Sequence, residues 1–333
     1  MTAVEKPSIV LPNILTPREA YSPFEYPQAY SYWEKQQRAH WLHWEVSMNA
    51  DVNDWKFKLT DNERNVVGHI LKGFTQTEIF IEDFWANKVA RWFKKPEIQM
   101  MANTFASFET IHAAGYAFLN QTLGLEDFGA YVHEPATKAK IDRLLAVQGK
   151  EKADIALALA IFSAFNEGVS LFSSFAILLN FKRWNKMRGI GTIIEWSIRD
   201  ESLHSEAGCW LFNTFVAENP EVLTEDFKAK IYEAAAITVA LEDAYIDKAF
   251  KGGDIEGLSA NDLKQYIRFR TNSKLQDLGL EKRDGDLDMD AVRRITTWFD
   301  PLANGTQHTD FFATRSTNYS KGVVSFENVW GDQ

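Results

Sequence analysis

From Ile155 to Phe181 the chain runs 27 residues with a single charged side chain, Glu167. A stretch that long and apolar fits a bilayer or the centre of a helical bundle. Ser163, Asn166, Ser170, Ser173 and Ser174 interrupt it and Lys182 and Arg183 follow at once, which favours the bundle over a membrane span. In either setting Glu167 needs a partner, because an isolated ionised carboxylate in an apolar interior is too costly to keep.

The rest of the chain agrees with a helical bundle. The first 30 residues hold five of the nine prolines and read as an extended arm. Beyond them the helical period dominates, with expected helices over 61–93, 96–123, 152–181, 184–218, 225–250 and 259–278. Shorter ones are expected within 126–146 and over 292–298. The sequence has almost no alternating strand pattern and no glycine-rich phosphate loop. The expected fold is all-α, with four long helices at its centre. From Thr309 the periodicity stops, which divides the chain into a helical body with its arm, 1–308, and a flexible tail, 309–333.

Composition narrows the partners. A net charge of −10 argues against direct contact with nucleic acid or an anionic membrane. The lone cysteine, Cys209, forbids an intramolecular disulfide. The N-terminus lacks a basic start followed by an apolar run, so no signal peptide is read and a cytoplasmic location is expected.

Two E-x-x-H motifs carry the chemistry: Glu109-Thr110-Ile111-His112 and Glu201-Ser202-Leu203-His204. Residues three apart share a helix face, so each motif can offer a carboxylate and an imidazole to one ion. One such motif is weak evidence. Two, each within a long and largely apolar helix, are much stronger. Bundles that hold two metal ions this way add one Glu from each of two further helices. Glu167 is one. Upstream of Glu109, the candidates are Glu78, Glu82 and Asp83; Glu78 is flanked at −7, −4, +3 and +7 by Leu71, Phe74, Ile81 and Trp85, which places it on the core face. The expected ligand set is Glu78, Glu109, His112, Glu167, Glu201 and His204. Four carboxylates with two imidazoles and no thiolate suit iron or manganese better than structural zinc.

On these residues the chain resembles the small, radical-generating subunit of class I ribonucleotide reductase, a ferritin-like protein. The segment FETIHAAGY resembles that family's second and third ligands followed by its radical tyrosine, here Tyr116. RDESLH resembles the last ligand pair, preceded by an acid, here Asp200. Glu78 lies 31 residues before Glu109, and Glu167 lies 34 before Glu201, as the family pattern requires. HWLHWEV resembles its tryptophan-then-acid motif and puts Trp41 and Glu45 in those positions, and DFFATRSTNY puts Tyr319 at its tail tyrosine. The resemblance covers roughly residues 25 to 320.

The resemblance implies a dinuclear centre of manganese, iron or both, two ions per chain, which stores an oxidising equivalent. It also implies a relay from Tyr116 through His112, Asp200 and Trp41, then through Glu45 and Tyr319, to a large catalytic subunit that binds the tail. A homodimer is implied as well. The cysteine count is consistent with that division of labour: reducing a ribose hydroxyl with thiols takes several cysteines, and this chain has one. In one respect the chain departs from the pattern. Most members have Asp as first ligand, whereas Glu78 stands here, and groups with Glu there tend to use manganese. Leu171 and Ser197 occupy positions that are usually bulkier and apolar, while Phe175 keeps the pattern. The rival readings are another dimetal oxidase of the same fold, such as a desaturase, or an iron-storage protein. Neither has a use for Trp41, Asp200 or a tyrosine tail.

Overall fold

A computed structural model of the chain describes residues 13–125, 149–283 and 287–303, together with the isolated positions 135, 138, 139, 142 and 285. Helix α1 spans Pro27–Arg38, α2 Asn49–Phe57, α3 Asp61–Asp83 and α4 Pro96–Leu123. Helix α5 (Lys152–Ala160) runs into a π-helical segment, Ile161–Ser170, and on into α6 (Phe172–Arg183). Then come α7 (Arg188–Glu218), α8 (Glu225–Ala249), α9 (Ala260–Asp277) and α10 (Met289–Ala303). Among the described residues the nearest thing to a strand is one isolated bridge, Ile255 to Leu258. The fold is all-α, as expected.

Local chemistry sets the helix ends. Thr60 and Glu63 form a reciprocal capping box at the start of α3, and the Thr224 and Ser259 hydroxyls cap α8 and α9. Gly124 ends α4 in the left-handed region, φ 71°, where a side chain would be strained. Helix α7 is capped from elsewhere. Asp51 of α2 accepts from the Gly189 and Ile190 amides, both at 2.9 Å, and Asp54 accepts from Met187 at 2.9 Å. That is why α7 begins at Arg188 instead of the expected 184. The residues between, with Asn185 and Met187 at positive φ, form the turn that brings the chain to those caps.

The core is a bundle of α3, α4, the 152–183 helix and α7. Helix α3 lies along α4, and α7 packs on α4, α5, the π segment and α6. Helices α8, α9 and α10 cover the 152–183 helix, and α1 crosses α4. The long apolar run is therefore interior: 89% of its most apolar window is buried inside the protein, although its length and hydropathy would suit a membrane.

Two of the expected helices are interrupted by π geometry. The 61–93 helix widens at Phe84–Val89, and the 152–181 helix at Ile161–Ser170. The two wide turns meet through Phe84 and Phe162, whose rings stack 3.8 Å apart and 2° from parallel. The expected helix within 126–146 and the tail from Thr309 lie outside the described residues, apart from isolated positions in the former.

Candidate metal centre

All six expected ligands converge. Glu78 comes from α3, Glu109 and His112 from α4, Glu167 from the π segment, Glu201 and His204 from α7, and all six are fully buried. They form two overlapping sets: Glu78, Glu109, His112 and Glu201, and Glu109, Glu167, Glu201 and His204. Within each set the ligand atoms lie within 4.8 Å of one another. Glu109 and Glu201 belong to both sets, as bridging carboxylates between two neighbouring ions must.

The chemistry of this cluster fits a pair of cations. Both oxygens of Glu78 and of Glu201, Oε1 of Glu109, Oε2 of Glu167 and both ring nitrogens of His204 are buried without a well-formed hydrogen bond. Buried polar atoms left this way are costly unless something else satisfies them. The His204 Nδ1 to Glu109 Oε1 separation is 2.7 Å, close enough for ion pairing but poorly aligned for a hydrogen bond. Burial, together with the charges of Glu201 and Glu109, pushes the Glu78 carboxyl well above the usual carboxylate range. Glu167 is pushed up for the same reasons. Burial acts upward on Glu109 as well, but His204 and His112 outweigh it and hold that carboxyl down at about 2. Two divalent ions would neutralise the four carboxylates of the set.

Around the ligands the structure places three of the other expected residues. His112 turns Nδ1 toward Glu109 Oε2 (3.0 Å) and Glu201 Oε1 (2.9 Å), and Nε2 toward Asp200 Oδ2 (3.3 Å). An Nε2–H donated to Asp200 leaves the Nδ1 lone pair facing the cluster, the arrangement by which an outer carboxylate orients a metal-binding imidazole. Asp200 also accepts from the Trp41 indole at 2.6 Å, from Gln36 at 3.0 Å and from Arg199 at 3.1 Å. Burial raises the Asp200 carboxyl, but Arg199 and His112 outweigh that and hold it down at about 2. The Trp41 ring lies 5.8 Å from the His112 ring at 24°. Tyr116 is buried with its ring 6.3 Å from His112 and stacked on Phe74 at 4.7 Å. Its hydroxyl has no well-formed hydrogen bond, and burial pushes its pKa well above the ordinary phenol value.

Glu45 is not in this cluster. It sits at the surface in the short turn His43–Glu45, where its carboxylate accepts from the Leu42 amide at 2.9 Å, next to the exposed Trp44. Tyr319 lies outside the described residues.

Sequence reasoning missed Trp85. Its indole N–H donates to Glu167 Oε1 at 2.6 Å, and both residues are fully buried. The signal was present: Trp85 is seven residues after Glu78, on the same helix face. Gln36, the partner of Asp200, had no such signal, because it comes from α1 and its position depends on how α1 crosses the bundle.

Comparisons with known proteins identify the family. The family model for the small chain of ribonucleotide reductase matches residues 18–283. A probable ribonucleoside-diphosphate reductase small subunit of Invertebrate iridescent virus 3 is 34% identical over 338 aligned residues, covering 96% of this chain and 88% of that one. The ribonucleoside-diphosphate reductase subunit beta of Chlamydia pneumoniae is 27% identical, covering 89% and 88%. Among solved structures, the ribonucleotide reductase R2 subunit from Clostridium botulinum shares the fold with a TM-score of 0.76 at 19% identity, covering 84% of this chain and 89% of that one. The dimanganese(II) NrdF of Streptococcus sanguinis does so at 0.72 and 22%, covering 82% and 96%. The chain belongs to the ribonucleotide reductase small-chain family and is the small subunit of an oxidoreductase, ribonucleoside-diphosphate reductase.

Proposed function

We propose that Glu78 and His112 hold one metal ion and Glu167 and His204 a second, with Glu109 and Glu201 shared between them. The observation that carries this reading is the pair of overlapping, fully buried ligand sets with those two carboxylates in common. When bound, a pair of redox-active ions supplies the oxidising equivalent that the large catalytic subunit needs. This chain's residues bind the ions, keep water out and carry the equivalent outward. Phe105 packs on the His204 ring at 4.2 Å, and Phe105, Phe108 and Phe175 are all buried, which keeps the interior dry. Asp200 holds the proton on His112 Nε2 and accepts the Trp41 indole N–H, so one carboxylate joins the inner imidazole to the oxidisable ring nearest it.

The outer part of the relay rests on the family resemblance. Glu45 at the surface and Tyr319 in the tail pass the equivalent on, and the segment 309–333 docks on the large subunit beside the 1–308 body, which acts as a homodimer. Manganese, alone or with iron, is the proposed metal. The reasons are the extra methylene of Glu78 and the fold shared with a neighbour described as dimanganese(II). Metal analysis tests the core of this reading. The purified protein is expected to take up two ions per chain, and Glu167→Ala to lose one of them. Unchanged metal content in that variant would overturn the ligand assignment.

A further inference from the structure

The π segment that presents Glu167 needs something to hold it. A run of wide turns is poorer in geometry than an α-helix and persists where other contacts fix it. One of those contacts comes from α9. The Arg270 guanidinium donates through Nε to the carbonyl of Gly168, the residue immediately after the ligand. The same guanidinium sits over the Phe172 ring, its Cζ 3.1 Å from the ring centroid, just past the end of the π segment. Arg270 therefore grips both ends of the bend that follows Glu167: a backbone carbonyl on one side and an aromatic face on the other.

Close packing at Gly168 adds to this. A Cβ there would come within 2.7 Å of Ser205 Oγ and 2.8 Å of Lys274 Cε. Ser205 in turn donates to the Ser163 carbonyl at 2.6 Å, so α7 grips the π segment earlier along its length. Only a residue without a side chain lets the segment approach α7 and α9 this closely. Arg270 also lines an open cavity of about 710 Å³ between α7, α9, α10 and α1, so the grip on Gly168 reaches the protein surface.

We propose that Arg270 is a positioning residue for the second metal ion, holding the π segment at Gly168 so that Glu167 stays in ligand position. This rests on the two-ion reading above. A planar guanidinium suits both roles, hydrogen-bonding and stacking at once, and a lysine at this place would keep the charge and lose the geometry. Residues that orient a ligand from behind typically change metal affinity about 10- to 100-fold when removed.

The test titrates the full-length metal-free protein with Mn(II) against a chromophoric chelator and follows the bound metal by electron paramagnetic resonance. Wild type is expected to bind two ions with a coupled-pair spectrum. Arg270→Lys and Arg270→Ala are expected to keep the first ion at wild-type affinity and bind the second about tenfold or more weakly, giving an isolated-ion spectrum at limiting metal. They should match Glu167→Ala in kind and differ from Glu78→Ala. Gly168→Ala disturbs the same contact from the backbone side and should repeat the pattern, so the idea remains testable if Arg270→Ala does not fold. Unchanged affinity for both ions, or equal weakening of both, would assign Arg270 a purely structural role and overturn the proposal. A wild type that binds fewer than two ions would instead bring down the two-ion reading, and this proposal with it.

Discussion

Trp85 occupies one oxygen of Glu167, and that limits what Glu167 can do. The indole N–H fixes Oε1 and leaves Oε2 as the buried oxygen without a partner, which favours Oε2 as the atom offered to an ion. A buried hydrogen bond to a charged group is worth about 1.5–3 kcal/mol. Trp85→Phe keeps most of the ring and removes the donor, so affinity for the second ion should fall about tenfold or more in the same Mn(II) titration. An unchanged second affinity would show that Glu167 is held without the indole. Tyr116 poses the other question at this scale. It is fully buried, with its ring centroid 6.3 Å from that of His112, close enough to serve as a radical site. If Glu78 marks a manganese site, as the family resemblance implies, the oxidant stays on the metals instead. Tyr116→Phe loaded with manganese, or manganese plus iron, and then oxidised is expected to stay active with the large subunit and to show a metal-centred paramagnetic signal. An organic-radical signal in the parent, lost with activity in the variant, would make this a tyrosyl-radical protein. The six clustered residues were legible because buried acids and paired E-x-x-H spacing are rare for any other reason. Trp85 and Gln36 were not, because one indole among eleven and an ordinary glutamine on an early helix acquire their roles only from packing.

The elements that mattered most were the hardest to read. Helix existence and extent followed the 3.6-residue period, but the π segment Ile161–Ser170 left no trace in it. Residues 161–169 are all buried, so there is no polar face whose phase could reveal an extra residue per turn. The start of α7 was misplaced for a related reason, since its caps, Asp51 and Asp54, belong to α2. Asp51→Ala would strip two buried amides of their acceptor, so metal-free protein should lose about 2 kcal/mol in chemical denaturation. The N-terminal arm gives a pH-dependent case. Glu97, at the start of α4, accepts from the Glu25 and Tyr26 amides at 2.9 and 3.0 Å and pairs with Arg18. Burial raises its carboxyl, but the backbone amides of Glu97 and Tyr26, then Arg18, outweigh it and lower the pKa below 4.5. A carboxyl lowered by folding stabilises the fold above its unfolded value and loses that contribution as pH falls through the folded value. Limited proteolysis within residues 13–26 should therefore accelerate as pH drops below 4.5 in wild type, and be fast at every pH in Glu97→Gln. An arm equally protected in both proteins at neutral pH would show that Glu97 does not hold it.

At the scale of the whole molecule the cluster is sealed and its output has to travel. The six clustered residues and Trp41 are fully buried, whereas Trp44 and Glu45, three and four residues further on, are exposed. One cysteine cannot supply the thiol chemistry of ribose reduction, so the oxidising equivalent must be used by another protein. The segment most suited to meet that protein is the tail, whose aperiodic sequence carries Phe326, Val329 and Trp330 as apolar anchors near its end and Tyr319 as an oxidisable side chain. Binding and relay then separate by mutation. Removing residues 319–333 should abolish nucleotide reduction by the mixed complex while leaving the metal content of the isolated chain unchanged, because every residue of the buried carboxylate–histidine cluster lies in the body. Tyr319→Phe keeps the shape and the anchors and removes the phenolic O–H. That variant should bind the large subunit with wild-type affinity, assemble its oxidised cofactor normally and fail to turn over. Full turnover after the truncation would place docking elsewhere on the body. Near-wild-type turnover in Tyr319→Phe, with binding intact, would leave the tail as an anchor and require a different exit from Trp41.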